Sequence, residues 1–447
     1  MLNWLFPRPP LRVSDKAWIE TRFAWLVQQL GERRLLDAQV IEPTDAFFPG
    51  AYDGTESDAR MMYQRVCQWM QATPDAMRFE VVPADDMPGA TGHYDRSDAN
   101  QKPALRVADS QIDDPQGLVA TLAHEIAHHI LLGGDLLAGD ESDHEWTTGL
   151  LPCVLGLGIC AANSTIRTAA GNSGTWSWWS IDRRGYMPSY CIGYALAIFA
   201  WLRGEKSPAW VRHLRLDARE PLTKGLRYLR RTGDCYVTRE TLGTTGPRTT
   251  GELMQRLTTG SNSARIAALW DAEKHPSGAS LAGHVQPLLR HRHAAVRSTA
   301  MRTAAKLRMN GADVVRELEM ALGDSTAEVR AAAAFALGEL LPDETRVVVD
   351  LGFALRDEAP EVVAAAATAL VNYGERAEPA QKNLLLSLHD ALIDCNYEMA
   401  DLMFEVIRTA LPDAGQAIND YFHQRDPEFR AAAIEALLGD GELESGR

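Results

Sequence analysis

The last third of the sequence contains a repeated pattern that restricts the fold more than any other feature of the chain. Five Ala-rich stretches superimpose when one apolar residue of each is aligned, and the aligned residues are Val296, Val329, Val362, Met399 and Phe429. The spacings between them are 33, 33, 37 and 30 residues. A period of this length, with short turns leading into amphipathic stretches, predicts an α-solenoid in which each unit is a pair of stacked helices.

Two of these units, DSTAEVRAAAAFALGEL and DPEFRAAAIEALLGDG, resemble HEAT repeats. Their alanines allow neighbouring helices to approach closely. Asp324, Asp357 and Asp426 lie in the turns, where a carboxylate can cap the next helix. The resemblance implies an extended concave surface that binds a protein substrate or partner and carries little chemistry itself.

The chain of 447 residues is too long for one compact core, so more than one domain is expected. We predict an N-terminal domain over residues 1–240 and a HEAT-like repeat domain over residues 283–447. The composition between them shifts to Arg, Gly and Thr, which predicts a connecting region over residues 241–282.

The stretch LVATLAHEIAHHILLGG, residues 118–134, lies within a well-marked helix of the N-terminal domain. Asp114 and Pro115 are typical of a helix start, and Gly133 and Gly134 are typical of a helix end. Two short runs before it, RFEVVP and ALRVAD, predict strands. The predicted fold class is therefore an α+β, predominantly helical N-terminal domain followed by an all-α solenoid.

Two histidines of this helix suggest a metal site. His124 and His128 are four residues apart, so their imidazoles project from one face of the helix and can bind one zinc ion. Glu125 projects to the side, where a carboxylate can take a proton from a water whose pKa zinc lowers. His129 is turned about 100° from His128 and is expected to have a structural or supporting role.

A catalytic zinc ion usually has three protein ligands, so a third ligand must be found. The compact pattern HExxHxxGxxH would require Gly at 131 and His at 134, and the sequence has Leu131 and Gly134 there. We favour Glu145, which opens the next apolar helical stretch. The alternatives are His144 and the loop acids Asp135, Asp140, Glu141 and Asp143.

HEIAH followed by a candidate glutamate ligand on the next helix resembles the gluzincin branch of zinc metallopeptidases, which are zincin-fold enzymes. The resemblance covers residues 115–162 and implies peptide-bond hydrolysis. Those enzymes commonly place an Asp four residues after the ligand glutamate, where it orients a zinc-bound histidine. This sequence has Gly149 there, so Asp143, Thr148 or another group would have to supply that support.

Several surrounding segments are candidates for binding substrate. Residues 93–111 could supply an edge strand for an extended peptide, although a plain sheet edge is an equal alternative. Tyr186, Tyr190, Tyr194 and His213 are candidates for stabilising an oxyanion, but tyrosines at this helical spacing more often serve packing. Trp176, Trp178 and Trp179 lie in a Gly/Ser-rich segment that could form a lid or serve packing.

Charge and composition argue against several classes of partner. The net charge is −15, and residues 281–447 contain 27 acidic against 16 basic residues, which does not favour nucleic-acid binding. The apolar stretches at 149–162 and 190–202 are shorter than the roughly 18 to 20 residues of a membrane span and predict buried helices. Six scattered cysteines and the absence of a signal-peptide pattern predict a cytoplasmic protein.

The sequence therefore predicts a zinc-dependent metallopeptidase joined to a HEAT-like interaction domain. One alternative is a scaffold that retains zinc for stability without hydrolysis, and Gly149 favours it. A second alternative is a purely structural helical protein that binds no metal.

Overall fold

The computed structural model describes residues 8–48, 50–97, 100–170, 187–242 and 248–423, with the backbone alone for 165–170. The chain divides into two compact units, Met1–Gly246 and Pro247–Arg447. Both are predominantly helical in their described parts, and a three-stranded sheet lies in the first.

The described part of the first unit contains eight α-helices, and the fourth carries the two histidines. In chain order they are α1 (Val13–Leu30), α2 (Glu32–Leu36), α3 (Glu56–Trp69), α4 (Pro115–His128), α5 (His144–Val154), α6 (Gly158–Ala170), α7 (Ser189–Leu202) and α8 (Leu216–Thr232). Helix α4 packs against α3, α5 and α6 and against the sheet.

The sheet consists of β1 (Arg78–Val82), β2 (Gly92–Asp95) and β3 (Ala104–Ala108) in the order β1-β3-β2. Strand β3 pairs in parallel with β1 and antiparallel with β2. The strands predicted from RFEVVP and ALRVAD are thus confirmed as β1 and β3. Strand β2 lies at one edge of the sheet and packs on α4.

Helix α4 begins as predicted, with Asp114 at its N-cap and Pro115 as its first residue. Its apolar side chains Leu118, Leu122 and Ile126 are completely buried in the core of the first unit. A π-helical turn over His129–Gly133 follows directly. The core also contains most of the apolar side chains of α5 and α7, which confirms that the two apolar stretches are buried helices.

A buried polar cluster connects α1 to α7 and to the segment after α8. Lys16 Nζ lies 2.8 Å from Glu20 Oε1 and 3.3 Å from Asp234 Oδ2. The Tyr194 hydroxyl donates to Glu20 Oε1 at 2.6 Å, and the Tyr236 amide donates to Glu20 Oε2 at 2.9 Å. Because Lys16 and Glu20 are almost fully buried, each charge depends on these partners for its stability in the core.

The described part of the second unit is a series of helices. They are α9 (Thr250–Thr259), α10 (Asn262–Lys274), α11 (Ala282–Val285), α12 (Ala294–Lys306), α13 (Ala312–Ala321), α14 (Ala327–Leu340), α15 (Thr345–Ala354), α16 (Pro360–Tyr373), α17 (Gln381–Ile393), α18 (Tyr397–Ala410) and α19 (Ala414–Phe422).

The segment 241–282, predicted to be a connecting region, contains α9 and α10. Thr249 and Glu252 form a capping box at the start of α9, and the Ser261 side chain caps α10. Buried side chains such as Leu253, Leu257 and Ile266 anchor both helices.

Helices α12, α14, α16 and α18 pack in succession, and each begins a few residues before an aligned position of the repeat. The approach of α14 and α16 is so close that a Cβ on Gly338 would lie 2.6 Å from Ala369 Cα. Small residues at this contact therefore allow the close packing. The fifth aligned position, Phe429, and the turn residue Asp426 lie outside the described residues.

A ladder of ion pairs joins successive repeats. Arg297 donates to both carboxylate oxygens of Asp324, each at 2.9 Å, and Arg330 does the same to Asp357 at 2.7 and 2.8 Å. Each aspartate also accepts the amide of the residue two positions later, at the start of the next helix. Asp324 and Asp357 therefore connect successive repeats. The position equivalent to Arg330 in the next repeat is Val363, which cannot form such an ion pair.

No helix in the described ranges is long and apolar enough to cross a membrane. All six cysteines are free thiols, and five of them are buried.

We expect Asp357→Asn to lower the free energy of unfolding by about 1 to 2 kcal/mol, because asparagine loses the charged hydrogen bonds to Arg330. The hydrogen bond to Arg330 holds the pKa of Asp357 below its usual value. The stabilisation is thus present above the unfolded-state pKa of about 4 and is lost as the pH falls through the folded-state pKa. Chemical denaturation of the full chain at several pH values measures both effects.

Asp394→Asn is the matched control. Asp394 holds the same repeat position as Asp357 but is exposed, and Val363 stands where the arginine partner would be. It should change the free energy of unfolding by less than about 0.5 kcal/mol. Equal losses in the two variants would contradict a special role for the ladder.

Candidate metal centre

Helix α4 places His124 and His128 side by side. Their ring centroids are 4.8 Å apart and their planes are nearly perpendicular, at 87°. Both residues are buried, with 7% and 8% of their surfaces exposed. The four-residue spacing thus brings the two imidazoles to one place on the helix.

Glu145, in the first turn of α5, completes the group. Its Oε2 lies 3.2 Å from His124 Nε2, and its Oε1 lies 3.6 Å from His128 Nε2. One ligand atom from each of the three residues can be chosen so that all lie within 4.8 Å of one another. In the described part of the chain, this is the group of histidine and acidic side chains that could hold a metal ion.

The start of α5 is held by contacts from α1. Asp143, the N-cap residue of α5, accepts hydrogen bonds from Arg22 Nε at 2.8 Å and Nη2 at 2.6 Å. It also accepts one from Trp18 Nε1 at 2.7 Å, and Arg22 contacts Glu141 at 2.9 Å. Arg22 and Trp18 therefore position the helix that carries Glu145. The sequence analysis missed both, because more than 100 residues separate them from Asp143.

The charges of the site are strongly coupled. Burial lowers the pKa of His124, but its hydrogen bond with Glu145 and the charges of Glu125 and Glu145 outweigh burial and raise it. Burial raises the pKa of Glu145, but hydrogen bonds with His124 and His128 outweigh burial and lower it. Glu145 is therefore held as a carboxylate beside the two imidazoles.

Glu125 is buried beside the edge strand. Burial raises the pKa of its carboxyl group above the usual value, and the nearby histidines only partly oppose this. A Cβ on Gly92 would lie 2.8 Å from Glu125 Oε1 and 2.5 Å from Thr121 Cγ2. Only a glycine at this position of β2 lets the strand lie so close to the carboxylate.

Tyr94, also on β2, contacts the two histidines at the end of the motif. Its hydroxyl lies 3.2 Å from His129 Nδ1, and its ring is nearly parallel to that of His128, with centroids 6.5 Å apart. Burial lowers the pKa of His129. His129 therefore contacts the sheet, as expected of a histidine turned away from the shared face.

The other candidates for the third ligand have different surroundings. Asp135 forms an ion pair with Arg96 at 3.1 Å, and Glu141 and Asp143 contact Arg22. The exposed residue Asp140 lies outside the three-residue group. His144 lies beside Glu145, with Nε2 3.2 Å from Oε1.

The groups suggested as substitutes for an aspartate at 149 make other contacts. The Asp143 carboxylate is bound by Arg22 and Trp18, and the Thr148 hydroxyl donates to the His144 carbonyl at 2.8 Å. Among the described residues, a Cβ on Gly149 would meet only Met187 Cβ, at 3.8 Å. The described residues therefore leave room for a Cβ at position 149.

The candidates for oxyanion stabilisation contact other groups. The Tyr190 hydroxyl donates to Asp15 at 3.4 Å, the Tyr194 hydroxyl donates to Glu20, and His213 Nε2 lies 2.9 Å from Glu42. These contacts match the alternative that the tyrosines serve packing. The remaining candidates lie outside the described residues, and they are Tyr186, Trp176, Trp178 and Trp179.

We expect Gly92→Ala to destabilise the first unit by about 1 to 3 kcal/mol, because the new methyl group must displace Thr121 or Glu125. Thermal and chemical unfolding measure the loss. Gly139→Ala is the control, since its Cβ would have nothing within 4 Å and its backbone is not strained. A Gly92→Ala protein as stable as the control variant would contradict this account of the strand contact.

Comparison with known proteins identifies a repeat in the second unit. The HEAT repeat family matches residues 314–343, which include most of α13 and all of α14. No curated protein matches the chain. The crystal structure of an engineered protein is similar over 42% of this chain and 94% of its own, with 19% sequence identity and a TM-score of 0.30. The second unit therefore contains a HEAT repeat, as the sequence resemblance predicted.

Proposed function

We propose that the first unit is a zinc-dependent hydrolase that cleaves peptide or other amide bonds. The observation that carries the proposal is the meeting of the buried His124 and His128 with the half-buried Glu145, beside Glu125. Two imidazoles and one carboxylate are the ligand set of thermolysin-like catalytic zinc sites, which leave a fourth position open.

The donor atoms suit zinc in type and arrangement. Nε2 of His124 lies 3.2 Å from one carboxylate oxygen of Glu145, and Nε2 of His128 lies 3.6 Å from the other. Nitrogen and oxygen donors at such separations fit around one tetrahedral ion. His128 Nδ1 is buried and makes no hydrogen bond among the described residues, whereas a zinc-bound histidine usually donates its second N–H.

Zinc bound by these residues would supply Lewis acidity toward water and a substrate carbonyl. Glu125 would take a proton from the attacking water and pass it to the leaving amine. Its burial raises its pKa, which makes the carboxylate a stronger base than an exposed glutamate. The close approach of strand β2 at Gly92 would hold it in place.

Strand β2 would bind the substrate in an extended form. It is an edge strand, so its second side can pair with an added peptide strand. It also lies against Glu125 and His128 through Gly92 and Tyr94. A peptide paired with β2 would therefore lie next to the proposed reaction centre.

The second unit would recruit the protein substrate or a partner. HEAT repeats commonly mediate protein interactions, and repeat folds of this kind present extended surfaces. We propose that the repeats bind a protein and that the chemistry lies in the first unit. We further propose that the protein acts in the cytoplasm, because its cysteines are free and five of the six are buried.

We expect Glu125→Gln to reduce hydrolysis by about 100-fold or more while zinc remains bound, because glutamine cannot take the proton. Zinc content by metal analysis and cleavage of an unfolded protein or a peptide library measure the two effects. The matched control is Asp140→Asn, since Asp140 is an exposed acid in the loop before α5 and lies outside the three-residue group. Wild-type protein that binds one zinc ion per chain and cleaves nothing would contradict the hydrolase proposal.

The second candidate function is a scaffold stabilised by zinc and without hydrolytic activity. It is favoured by Gly149, since Asp143 and Thr148 make other contacts. His128 Nδ1 also makes no hydrogen bond among the described residues.

Gly149→Asp tests this alternative, because the described residues leave room for a Cβ at this position. If the missing carboxylate limits the site, the variant should bind zinc about 10-fold more tightly and gain hydrolytic activity. Gly149→Ala controls for the change in helix propensity. An aspartate variant that matches the alanine variant in zinc affinity would show that position 149 does not support the site.

A further inference from the structure

We propose that His144 is an exchangeable fourth ligand of the same metal centre, which closes the position that a hydrolytic site leaves open. This inference rests on the proposed zinc site. It makes the centre a latent one, with a closed state of four protein ligands and an open state of three.

The first observation is the orientation of the His144 ring. Its Nδ1 lies 2.9 Å from the backbone carbonyl oxygen of Glu141. A carbonyl oxygen can only accept, so Nδ1 carries the proton, and in the neutral ring Nε2 then has a free electron pair. A hydrogen bond from one ring nitrogen to a backbone carbonyl is the usual support of a histidine that binds metal through the other nitrogen.

The second observation is the position of Nε2. It lies 3.2 Å from Glu145 Oε1, the oxygen that is also 3.6 Å from His128 Nε2. Such a short separation is typical of two ligand atoms that share one tetrahedral ion. The ion held by His124, His128 and Glu145 would lie beside this pair.

The third observation is that His144 differs from the other two histidines in burial and distance. Its side chain is 28% exposed, against 9% for His124 and 10% for His128. Its ring centroid is 6.4 Å from that of His128, whereas those of His124 and His128 are 4.8 Å apart. His144 is therefore more exposed than His124 and His128 and lies farther from His128 than His124 does, as expected of a ligand that can leave the ion and return.

Four protein ligands are typical of structural zinc, and three with an open position are typical of catalytic zinc. Reversible binding by His144 would therefore hold the ion tightly at rest and expose it when a substrate or partner displaces the ring. This links the two candidate functions through one side chain.

The test uses the full-length protein loaded with Co²⁺, whose visible absorption reports the ligands around it. The variants are His144→Ala and His144→Phe, and the second keeps a ring but removes the nitrogen. We expect both to weaken Co²⁺ binding by about 10- to 100-fold in a chelator competition. We also expect both to bind azide about 10-fold more tightly than wild type, because the fourth position is no longer blocked.

His213→Ala is the matched control, since His213 also contacts a glutamate, Glu42, at 2.9 Å. It should match wild type in both measurements. If wild type binds Co²⁺ and both His144 variants match it in metal and azide affinity, the fourth-ligand inference is overturned and the three-residue centre stands. If wild type itself binds no Co²⁺ or Zn²⁺, the proposed zinc site fails and this inference fails with it.

Discussion

The contact between Glu145 and the two histidines of α4 is the interaction on which the candidate site depends. It joins α4 to the first turn of α5, so it depends on where α5 begins. The start of α5 is held by Asp143, whose carboxylate accepts three hydrogen bonds from Arg22 and Trp18 of α1. The N-terminal helix thus acts on the site through the cap of α5, without a ligand of its own.

The two units obtain their order from different physical sources. The first unit has a single apolar core, within which α1 is also tied to α7 by the buried cluster of Lys16, Glu20 and Tyr194. The second unit repeats one local contact, in which an arginine of one repeat binds the turn aspartate of the next. Loss of one such contact is therefore expected to act locally, whereas loss of a buried charge partner would affect the whole core.

Features with a local physical cause could be predicted from the sequence. The start of α4 at Pro115, the strands β1 and β3 and the repeat period all follow from short-range patterns. Within residues 241–282, the Gly- and Thr-rich composition did not indicate the helices α9 and α10, because threonine and serine cap helices and are also common in loops. The burial of leucines such as Leu253, which anchors α9, is set by the tertiary structure. The sequence indicates His144 only as an alternative to Glu145 for the third ligand. Its proposed role as a fourth ligand depends on contacts that the tertiary structure provides.

The sequence by itself determined that His124 and His128 share one face of a helix, with Glu125 to the side, because helical periodicity is a local property. It also determined the HEAT repeat, because that pattern recurs along the chain. Only the tertiary structure decided which acid meets the histidines, that Gly92 brings an edge strand onto Glu125, and that Arg22 and Trp18 hold α5. These contacts join residues far apart in the chain, and no local pattern specifies the distance between them.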